Sequence, residues 1–320
     1  MESAATQREV PIVSLNGRQA PSDEQVQRVG DSLARWGFVN LTDHGVSQEL
    51  LERAYEVAAQ VFSLSEAQKY AYEDREGGRQ RGYTPFLLER AKGEREADLK
   101  EFWHIGRELP AEHPAAQSGQ MRPNLFPVEV PAFKALMSEV YQEMDQLAHH
   151  MLSIIARYLE LSPDRFESVA RDGNSVLRVL NYPDVASSTA AGKVRAAAHE
   201  DINLLTLLPA ATRPGLELLT PEGAWLPVNP PAGAIVCDTG DMMTALTGGV
   251  MPATTHRVVN PEGGSDGGRL SMPFFMHPHP EAILSPRSIG LEPRASGPVD
   301  GEGLSAHAFL ERRLRDNGLS

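Results

Sequence analysis

The sequence predicts an α+β fold, mainly β, whose core is a β-sandwich or β-barrel in the C-terminal half of the chain. Turn-forming residues recur there at short intervals and separate short apolar segments, which is typical of such a core. Helical patterns dominate the first half, and an apolar content of 41% is ample for a buried interior. The turn clusters lie at 213–215, 220–223, 229–233, 239–241 and 262–268.

The N-terminal region is predicted to alternate short strands with amphipathic helices. A strand is expected over 10–15, and Ser22 with Gln25 forms a capping box that opens a helix ending at Gly37. The next elements are a strand over 38–42, a helix capped by Ser47 and a shorter helix beginning at Ser65.

The middle of the chain is irregular, glycine-rich and charged from residue 75 to 127, apart from an alternating segment over 100–105 that predicts a strand. Pro131 then opens a long amphipathic helix that continues to Tyr158. Strand character returns over 174–182. A last, short helix over 306–316 is expected to pack outside the core.

Composition excludes several classes of function. A net charge of −13 argues against a nucleic-acid surface, which needs clustered Lys and Arg. No run of 18 apolar residues is present, so we expect no membrane span, and the first residues have no apolar signal segment. The single cysteine, Cys237, is expected in a buried strand and permits no internal disulfide, which predicts a cytoplasmic protein.

Three residues have the spacing and chemistry of metal ligands. Side chains at i and i+2 of a strand point the same way, so His199 and Asp201 project together while Glu200 faces away. A second histidine, His256, follows in another β-like segment. Two histidines and one carboxylate on one face of iron(II) leave its other positions open, as in the facial triad of non-haem oxygenases.

A second i, i+2 pair follows the last of these residues. Arg269 and Ser271 would present a guanidinium beside a hydroxyl, a combination suited to gripping a carboxylate. A His-x-Asp pair alone is most often incidental. The order His-x-Asp, His, Arg-x-Ser in β-like segments is much harder to obtain by chance.

These motifs resemble the iron(II)/2-oxoglutarate-dependent oxygenases, in the isopenicillin N synthase-like branch that also includes plant flavonoid and hormone oxygenases. The resemblance covers most of the chain. Its segments, in family order, are 10–13, 37–46, 180–183, 199–201, 240–242, 256–258 and 269–275.

The resemblance implies a specific architecture. The β core becomes a double-stranded β-helix (jelly roll) over 173–284. An N-terminal dioxygenase region of helices, strands and substrate-mouth loops (1–127) and buttressing helices (128–172) precede it, and a C-terminal loop and helix (285–320) follows it.

The resemblance also implies a reaction. Iron(II) would be held by His199, Asp201 and His256, with 2-oxoglutarate and O2 as cosubstrates. The distal carboxylate of 2-oxoglutarate would meet Arg269 and Ser271, and Tyr182 matches a family tyrosine that reaches the cosubstrate or the substrate. The predicted enzyme oxidises an unactivated C–H bond of a small organic molecule by hydroxylation, desaturation or cyclisation, and releases succinate and CO2.

Substrate contacts are predicted from aromatic residues near the expected active-site mouth, namely Tyr83, Phe86 and Phe275. For Tyr83 and Phe86 a core position is an equal alternative. His277 and His279 lie between prolines and are expected on the rim, whereas Asp241 follows Gly240 and is expected to form a turn.

Other functions stay open at this stage. The Arg-x-Ser pair also fits an iron oxidase of the isopenicillin N synthase type that uses no oxoacid. A non-catalytic jelly roll that binds a metal or ligand is a further alternative, and a zinc hydrolase would leave Arg269 and Ser271 without a role. The expected partner is a small-molecule substrate, with no nucleic acid and no membrane, and the chain is expected to be a monomer or weak homodimer.

Overall fold

The computed structural model of the protein describes residues 9–90, 96–184, 192–261, 267–293 and 299–316. In these ranges the strands form a 9-stranded and a 4-stranded sheet. The helices lie outside the sheets. No described helix is long and apolar enough to cross a bilayer.

The N-terminal helices begin where the sequence predicts, and the first of them also ends at the predicted residue. Helix α1 (Asp23–Trp36) has the Ser22–Gln25 capping box and ends at Gly37, whose φ of 64° is the left-handed conformation that favours glycine. The neighbouring elements are β1 (Ile12–Ser14), β2 (Phe38–Thr42), α2 (Gln48–Phe62), α3 (Glu66–Tyr70), β3 (Gly82–Thr84), β4 (Glu101–Gly106) and α4 (Pro114–Gln117).

The long helix α5 (Ala132–Tyr158) buttresses the core, as predicted. Its apolar stripe packs against α1 and α2 on one side and against the large sheet on the other. A short helix, α6 (Glu167–Ala170), leads from it into β5 (Val176–Tyr182).

The C-terminal half supplies the remaining strands of both sheets. They are β6 (Ala196–His199), β7 (Leu205–Pro209), β8 (Leu216–Leu219), β9 (Trp225–Pro227), β10 (Ile235–Thr239), β11 (His256–Val258), β12 (Arg269–Ser271) and β13 (Phe274–Met276). Two helices, α7 (Asp241–Leu246) and α8 (Ala306–Asp316), and a 3₁₀ helix (Pro286–Ile289) complete the described elements.

The two sheets confirm the predicted jelly roll. The large sheet has the order β1-β2-β10-β7-β13-β5-β4-β3, with β12 also paired to β5, and the small sheet has the order β6-β11-β8-β9. Apart from the parallel pair β1–β2, the described pairings are antiparallel. Strands from the N-terminal region therefore continue the same sheet as the C-terminal core.

Buried residues form two clusters on opposite faces of the large sheet. Leu177 and Val179 of β5 belong to the cluster beneath the helices, whereas Leu180 and Tyr182 belong to the cluster between the sheets. The predicted strand β4 is buried along its whole length, because helices cover one face and the second sheet covers the other. Every second side chain of β5 therefore points into the space between the sheets.

Candidate metal centre

Two cavities lie between the sheets and meet at the predicted metal ligands. The inner cavity has a volume of about 60 Å³ and the outer cavity about 200 Å³. The residues that line both are Lys100, Arg178, His199, Asp201 and Phe275.

The structure brings the three predicted ligands together. His199 is the last residue of β6 and lies directly opposite His256, the first residue of β11, in the antiparallel pairing of the small sheet. Asp201 follows just past the end of β6. The Nε2 atoms of both histidines lie 3.7 Å from its Oδ1, and one ligand atom from each residue falls within 4.8 Å of the others. This spacing suits a single metal ion.

Backbone carbonyls orient both imidazoles. Nδ1 of His199 donates to the carbonyl of Ala197 at 2.8 Å, and Nδ1 of His256 donates to that of Thr254 at 3.1 Å. Each Nδ1 therefore carries the proton, which leaves the Nε2 lone pair free on the side of Asp201. A metal-binding histidine is held in this way by its second ring nitrogen.

The protonation states also fit a metal. Burial, together with the neighbouring His256, lowers the pKa of His199 to about 4, so its imidazole is neutral near pH 7. Burial alone would raise the pKa of Asp201, but the two histidines and a hydrogen bond from Thr206 lower it and keep the carboxylate ionised. Neutral imidazoles and an ionised carboxylate are the forms that bind metal ions.

A second buried carboxyl group, Asp238 of β10, lies behind the predicted ligands. Burial and the charge of Asp201 raise its pKa well above the usual range, which favours the protonated form of this side chain. Asn203 donates to Thr206 at 3.0 Å, and Thr206 in turn donates to Asp201. The sequence prediction missed Asp238, Asn203 and Thr206. The hydrogen bond from Thr206 holds the Asp201 carboxylate in position.

The inner cavity ends at the predicted carboxylate anchor. Arg269 pairs opposite Tyr182 and Ser271 opposite Leu180 on β5, and all four residues line this cavity. Arg269 is only 4% exposed, and its Nε donates to the carbonyl of Arg213 at 3.0 Å. Its Nη1 has no partner among the described residues. A buried guanidinium with an unsatisfied donor favours a bound anion, because an unpaired buried charge is costly.

Comparison with known proteins identifies the family. Residues 10–129 match a family model described as the N-terminal region of non-haem dioxygenases in morphine synthesis, and residues 154–278 match that of the 2OG-Fe(II) oxygenase superfamily. A 2-oxoglutarate-Fe(II) type oxidoreductase, hxnY of Emericella nidulans, is 31% identical over 280 residues, which cover 85% of this chain and 79% of the relative. The chain belongs to the 2OG-Fe(II) oxygenase superfamily.

Solved structures of similar fold agree with this membership. A Caulobacter crescentus protein assigned to the 2OG-Fe(II) oxygenase family is 40% identical, with a TM-score of 0.83 and coverage of 95% of this chain and 98% of that one. A full-length Neurospora crassa protein, solved in complex with alpha-KG and thymine, has a TM-score of 0.82 at 23% identity. That match covers 97% of this chain and 98% of the Neurospora chain, and it supports the fold alone.

This membership decides between the open alternatives. The protein is a non-haem oxygenase whose cofactor is Fe(II) and whose cosubstrates are 2-oxoglutarate and O2. Membership of this superfamily favours an oxoacid-dependent enzyme over an oxidase that uses no oxoacid, over a non-catalytic jelly roll and over a zinc hydrolase.

In this oxygenase, the outer cavity contains a buried charged cluster that the sequence prediction missed. Nζ of Lys100 lies 2.7 Å from Glu89 and 2.8 Å from Asp98. Burial alone would raise the pKa of Glu89, but Arg178 and Lys100 lower it to about 2. On the neighbouring strand, Nε of Arg178 donates to Nε2 of His104 at 2.7 Å. All five side chains line the outer cavity.

The predicted substrate contacts separate into two groups. Phe275 lines both cavities of the oxygenase, as the sequence analysis expected of a pocket residue. Tyr83 lies in the core, where its hydroxyl donates to Glu101 at 2.5 Å, and it lines neither of these cavities. Phe86 is half-buried and also lines neither cavity. For Tyr83 the structure corresponds to the alternative of a core position.

Three further expectations about the oxygenase are corrected. His277 is buried and lines the outer cavity instead of the rim, because it lies two residues after Phe275 and its side chain points to the same side of the chain. Asp241 begins α7 instead of forming a turn. Helix α8 does not simply pack outside, since its residues Leu310, Arg313 and Leu314 line the outer cavity and Arg313 pairs with Asp241.

Proposed function

We propose that this oxygenase oxidises an unactivated C–H bond of a small organic molecule held in the outer cavity, and that 2-oxoglutarate is converted to succinate and CO2 in the same turnover. The observation that carries this proposal is the position of His199, Asp201 and His256 at the junction of the two cavities. One cavity ends at a buried, unsatisfied guanidinium, and the other has room for a substrate.

In this proposal His199, Asp201 and His256 hold Fe(II), and their donor set fits that ion. When bound, Fe(II) supplies the redox chemistry that activates O2 at the expense of the oxoacid. The protein's own contribution is to hold two imidazoles and one carboxylate beside the point where the cavities meet, so that both cavities would have access to the ion.

The inner cavity is proposed to bind 2-oxoglutarate. Its distal carboxylate would accept hydrogen bonds from Nη1 of Arg269 and from the hydroxyl of Ser271, which satisfies the unpaired buried donor. Tyr182 is within hydrogen-bonding contact of Arg269 and holds the guanidinium in place. Asp201 and His256 line the same cavity as Arg269 and Ser271, so one ligand would reach both the metal ion and the anchor.

The outer cavity is proposed to bind the substrate. Its walls combine Phe275, Leu310 and Leu314 with the charged cluster around Arg178, and its volume of about 200 Å³ suits a small molecule instead of a polymer. A 29% identical Arabidopsis thaliana relative is named homoarginine-6-hydroxylase. This name is consistent with a small polar substrate, which the protein would orient with one C–H bond towards the metal.

The test is coupled product formation. Purified protein with Fe(II) and 2-oxoglutarate is screened against small organic compounds under ¹⁸O₂, and succinate and oxidised product are measured together. We expect a compound that stimulates succinate release, with one ¹⁸O atom in succinate and, for a hydroxylation, the other in the product. Succinate without ¹⁸O, or turnover that continues without the oxoacid, would contradict the proposal.

A further inference from the structure

Arg178 lies where the two cavities of the oxygenase meet. It belongs to β5, whose residues Val176, Arg178, Leu180 and Tyr182 point between the sheets. Val176 lines the outer cavity, Leu180 and Tyr182 line the inner one, and Arg178 lines both. A group bound against Arg178 is therefore adjacent to the predicted metal ligands.

Hydrogen bonds hold the guanidinium of Arg178 in one orientation. Its Nε donates to Nε2 of His104 at 2.7 Å, directly across the strand pair, and its Nη1 donates to Glu89 at 3.2 Å. Nδ1 of His104 donates to the carbonyl of Arg79 at 2.9 Å, so its Nε2 is free to accept. The plane and the direction of the guanidinium are thus fixed before any substrate binds.

Two aromatic rings flank the same guanidinium. Its Cζ lies 4.3 Å from the ring centroid of Phe102 and 5.2 Å from that of Phe275. Stacked arginines keep their edge available for hydrogen bonds while their faces are occupied. The two rings and the two hydrogen bonds together leave the guanidinium little freedom to rotate.

Three of the five N–H donors of Arg178 remain unused. One is on Nη1 and two are on Nη2, which makes no hydrogen bond within the described part of the chain. Because Arg178 lines both cavities, these donors lie at the cavity wall. The donors are preorganised for an acceptor that the protein itself does not provide.

The acidic groups around the outer cavity are already engaged. Glu89 and Asp98 both pair with Lys100, whose own charge is thereby satisfied. Glu200 accepts a hydrogen bond from Thr255, and Asp201, the remaining acidic residue of the lining, accepts one from Thr206 and is a predicted metal ligand. The cavity therefore offers spare donors and has its carboxylates occupied, which is complementary to an acidic ligand and unfavourable for a basic one.

We infer that Arg178 is the specificity-determining residue of the outer cavity and that the substrate carries a carboxylate, which binds the free edge of the guanidinium. This inference rests on the function proposed above and narrows its substrate class to small carboxylic acids. The carboxylate end would be fixed beside the junction, so a C–H bond a few atoms away faces the predicted metal ligands.

The test compares acids with their neutral amides. The probes are benzoate and benzamide, phenylacetate and phenylacetamide, and cyclohexanecarboxylate and its amide. Their dissociation constants are measured by calorimetry under nitrogen on protein loaded with Fe(II) and 2-oxoglutarate. In the wild-type protein each acid that binds should bind more tightly than its amide.

Substitution of Arg178 should remove this preference. Arg178→Gln should weaken acid binding about ten- to a hundredfold, because hydrogen bonds to charged groups are the stronger ones, and should leave amide binding nearly unchanged. Arg178→Lys keeps the positive charge but lacks the paired N–H groups of the guanidinium, so a smaller loss of acid affinity is expected. The matched control is Arg107→Gln. Arg107 pairs with Asp145 at 2.7 Å, lines neither cavity, and should leave acid binding unchanged.

Two results would overturn the inference. The first is that the wild-type protein binds no acid more tightly than its amide. The second is that the Arg178 and Arg107 variants lose acid affinity to the same extent. The visible absorption band formed by Fe(II) and 2-oxoglutarate is recorded on the same samples. A wild type without this band contradicts the proposed function itself, whereas a wild type with the band but no acid preference contradicts only the role of Arg178. Should Arg178→Gln fail to fold, Arg178→Lys decides.

Discussion

Replacing Arg269 by methionine should separate the stability of the empty protein from that of the 2-oxoglutarate complex. The buried guanidinium leaves Nη1 unsatisfied, and this donor carries a desolvation penalty of about 1–3 kcal/mol. Methionine removes that penalty and keeps most of the apolar stem. It also loses the hydrogen bond to the carbonyl of Arg213 and the contact with Tyr182, together worth about 1–2 kcal/mol. The two effects oppose each other, so without the oxoacid the free energy of unfolding should change by no more than about 1 kcal/mol.

When 2-oxoglutarate is present, the wild type and Arg269→Met should differ clearly in their free energy of unfolding. At a concentration of 100 times its dissociation constant, a ligand stabilises the wild type by about 2.7 kcal/mol. Removing one partner of a buried charge pair costs about 2–5 kcal/mol, so the dissociation constant should rise about 30-fold or more. At the same concentration Arg269→Met should then gain less than about 1 kcal/mol.

The assay is urea unfolding of the Fe(II) proteins under nitrogen, with and without 2-oxoglutarate. Arg107→Met is the matched control, because Arg107 is paired with Asp145 and its loss should destabilise the protein while leaving the oxoacid effect intact. The reasoning is refuted if Arg269→Met is destabilised by several kcal/mol without the oxoacid, or if 2-oxoglutarate stabilises it as much as the wild type.

Three further predictions concern the surroundings of the cavities. Tyr83→Phe should lower the free energy of unfolding by about 1–3 kcal/mol through loss of the buried bond to Glu101, with succinate formation unchanged, and a changed rate would contradict the core position. Burial would raise the pKa of Glu89, but the two cations beside it lower it from 4.5 to about 2, so its stabilising effect should disappear as the pH falls through this window. The unfolding free energy of the wild type relative to Glu89→Gln should fall by about 3 kcal/mol, and a pH-independent difference would contradict this. Arg313→Gln should loosen α8 by breaking the pair with Asp241, and limited proteolysis would detect this as faster cleavage within 306–316. Because Arg313 lines the outer cavity, the same substitution should also weaken the binding of carboxylate probes but not that of 2-oxoglutarate.

The predicted metal ligands and the carboxylate anchor could be located from sequence because their chemistry is encoded locally. His199 and Asp201 are two residues apart, as are Arg269 and Ser271, so each pair reaches one side of the chain wherever the backbone is extended, as the surrounding residues predict. The helix boundaries at Ser22 and Gly37 were predictable for the same reason, since capping depends on neighbouring residues.

The charged cluster was not predicted because it depends on a pairing between distant strands. His104 and Arg178 are neighbours only through the register of β4 and β5, and Glu89 approaches both from a loop. One local signal was available. Arg178 is four residues before Tyr182 on a strand, so both side chains share the face that the sequence assigns to the active site.

The position of Tyr83 and the contribution of α8 to the outer cavity depend on packing that periodicity does not encode. An aromatic residue in a glycine-rich stretch fits the core and the cavity mouth equally well, and only its bond to the buried Glu101 distinguishes them. The division of the chain at residues 127, 172 and 284, the cytoplasmic location and the monomer or weak homodimer stay predictions.

Anaerobic titration with Fe(II) tests most directly whether His199, Asp201 and His256 hold one metal ion beside the oxoacid. The wild type should bind a single Fe(II) and develop the visible band when 2-oxoglutarate is added. Glu200→Gln should bind Fe(II) and form the band as the wild type does, because Glu200 lies outside the ligand set that the structure brings together. Asp201→Ala should bind Fe(II) about a hundredfold more weakly or worse and form no band, since even groups that only orient metal ligands contribute about 10- to 100-fold. Equal iron affinity and an equal band in Asp201→Ala would contradict the account.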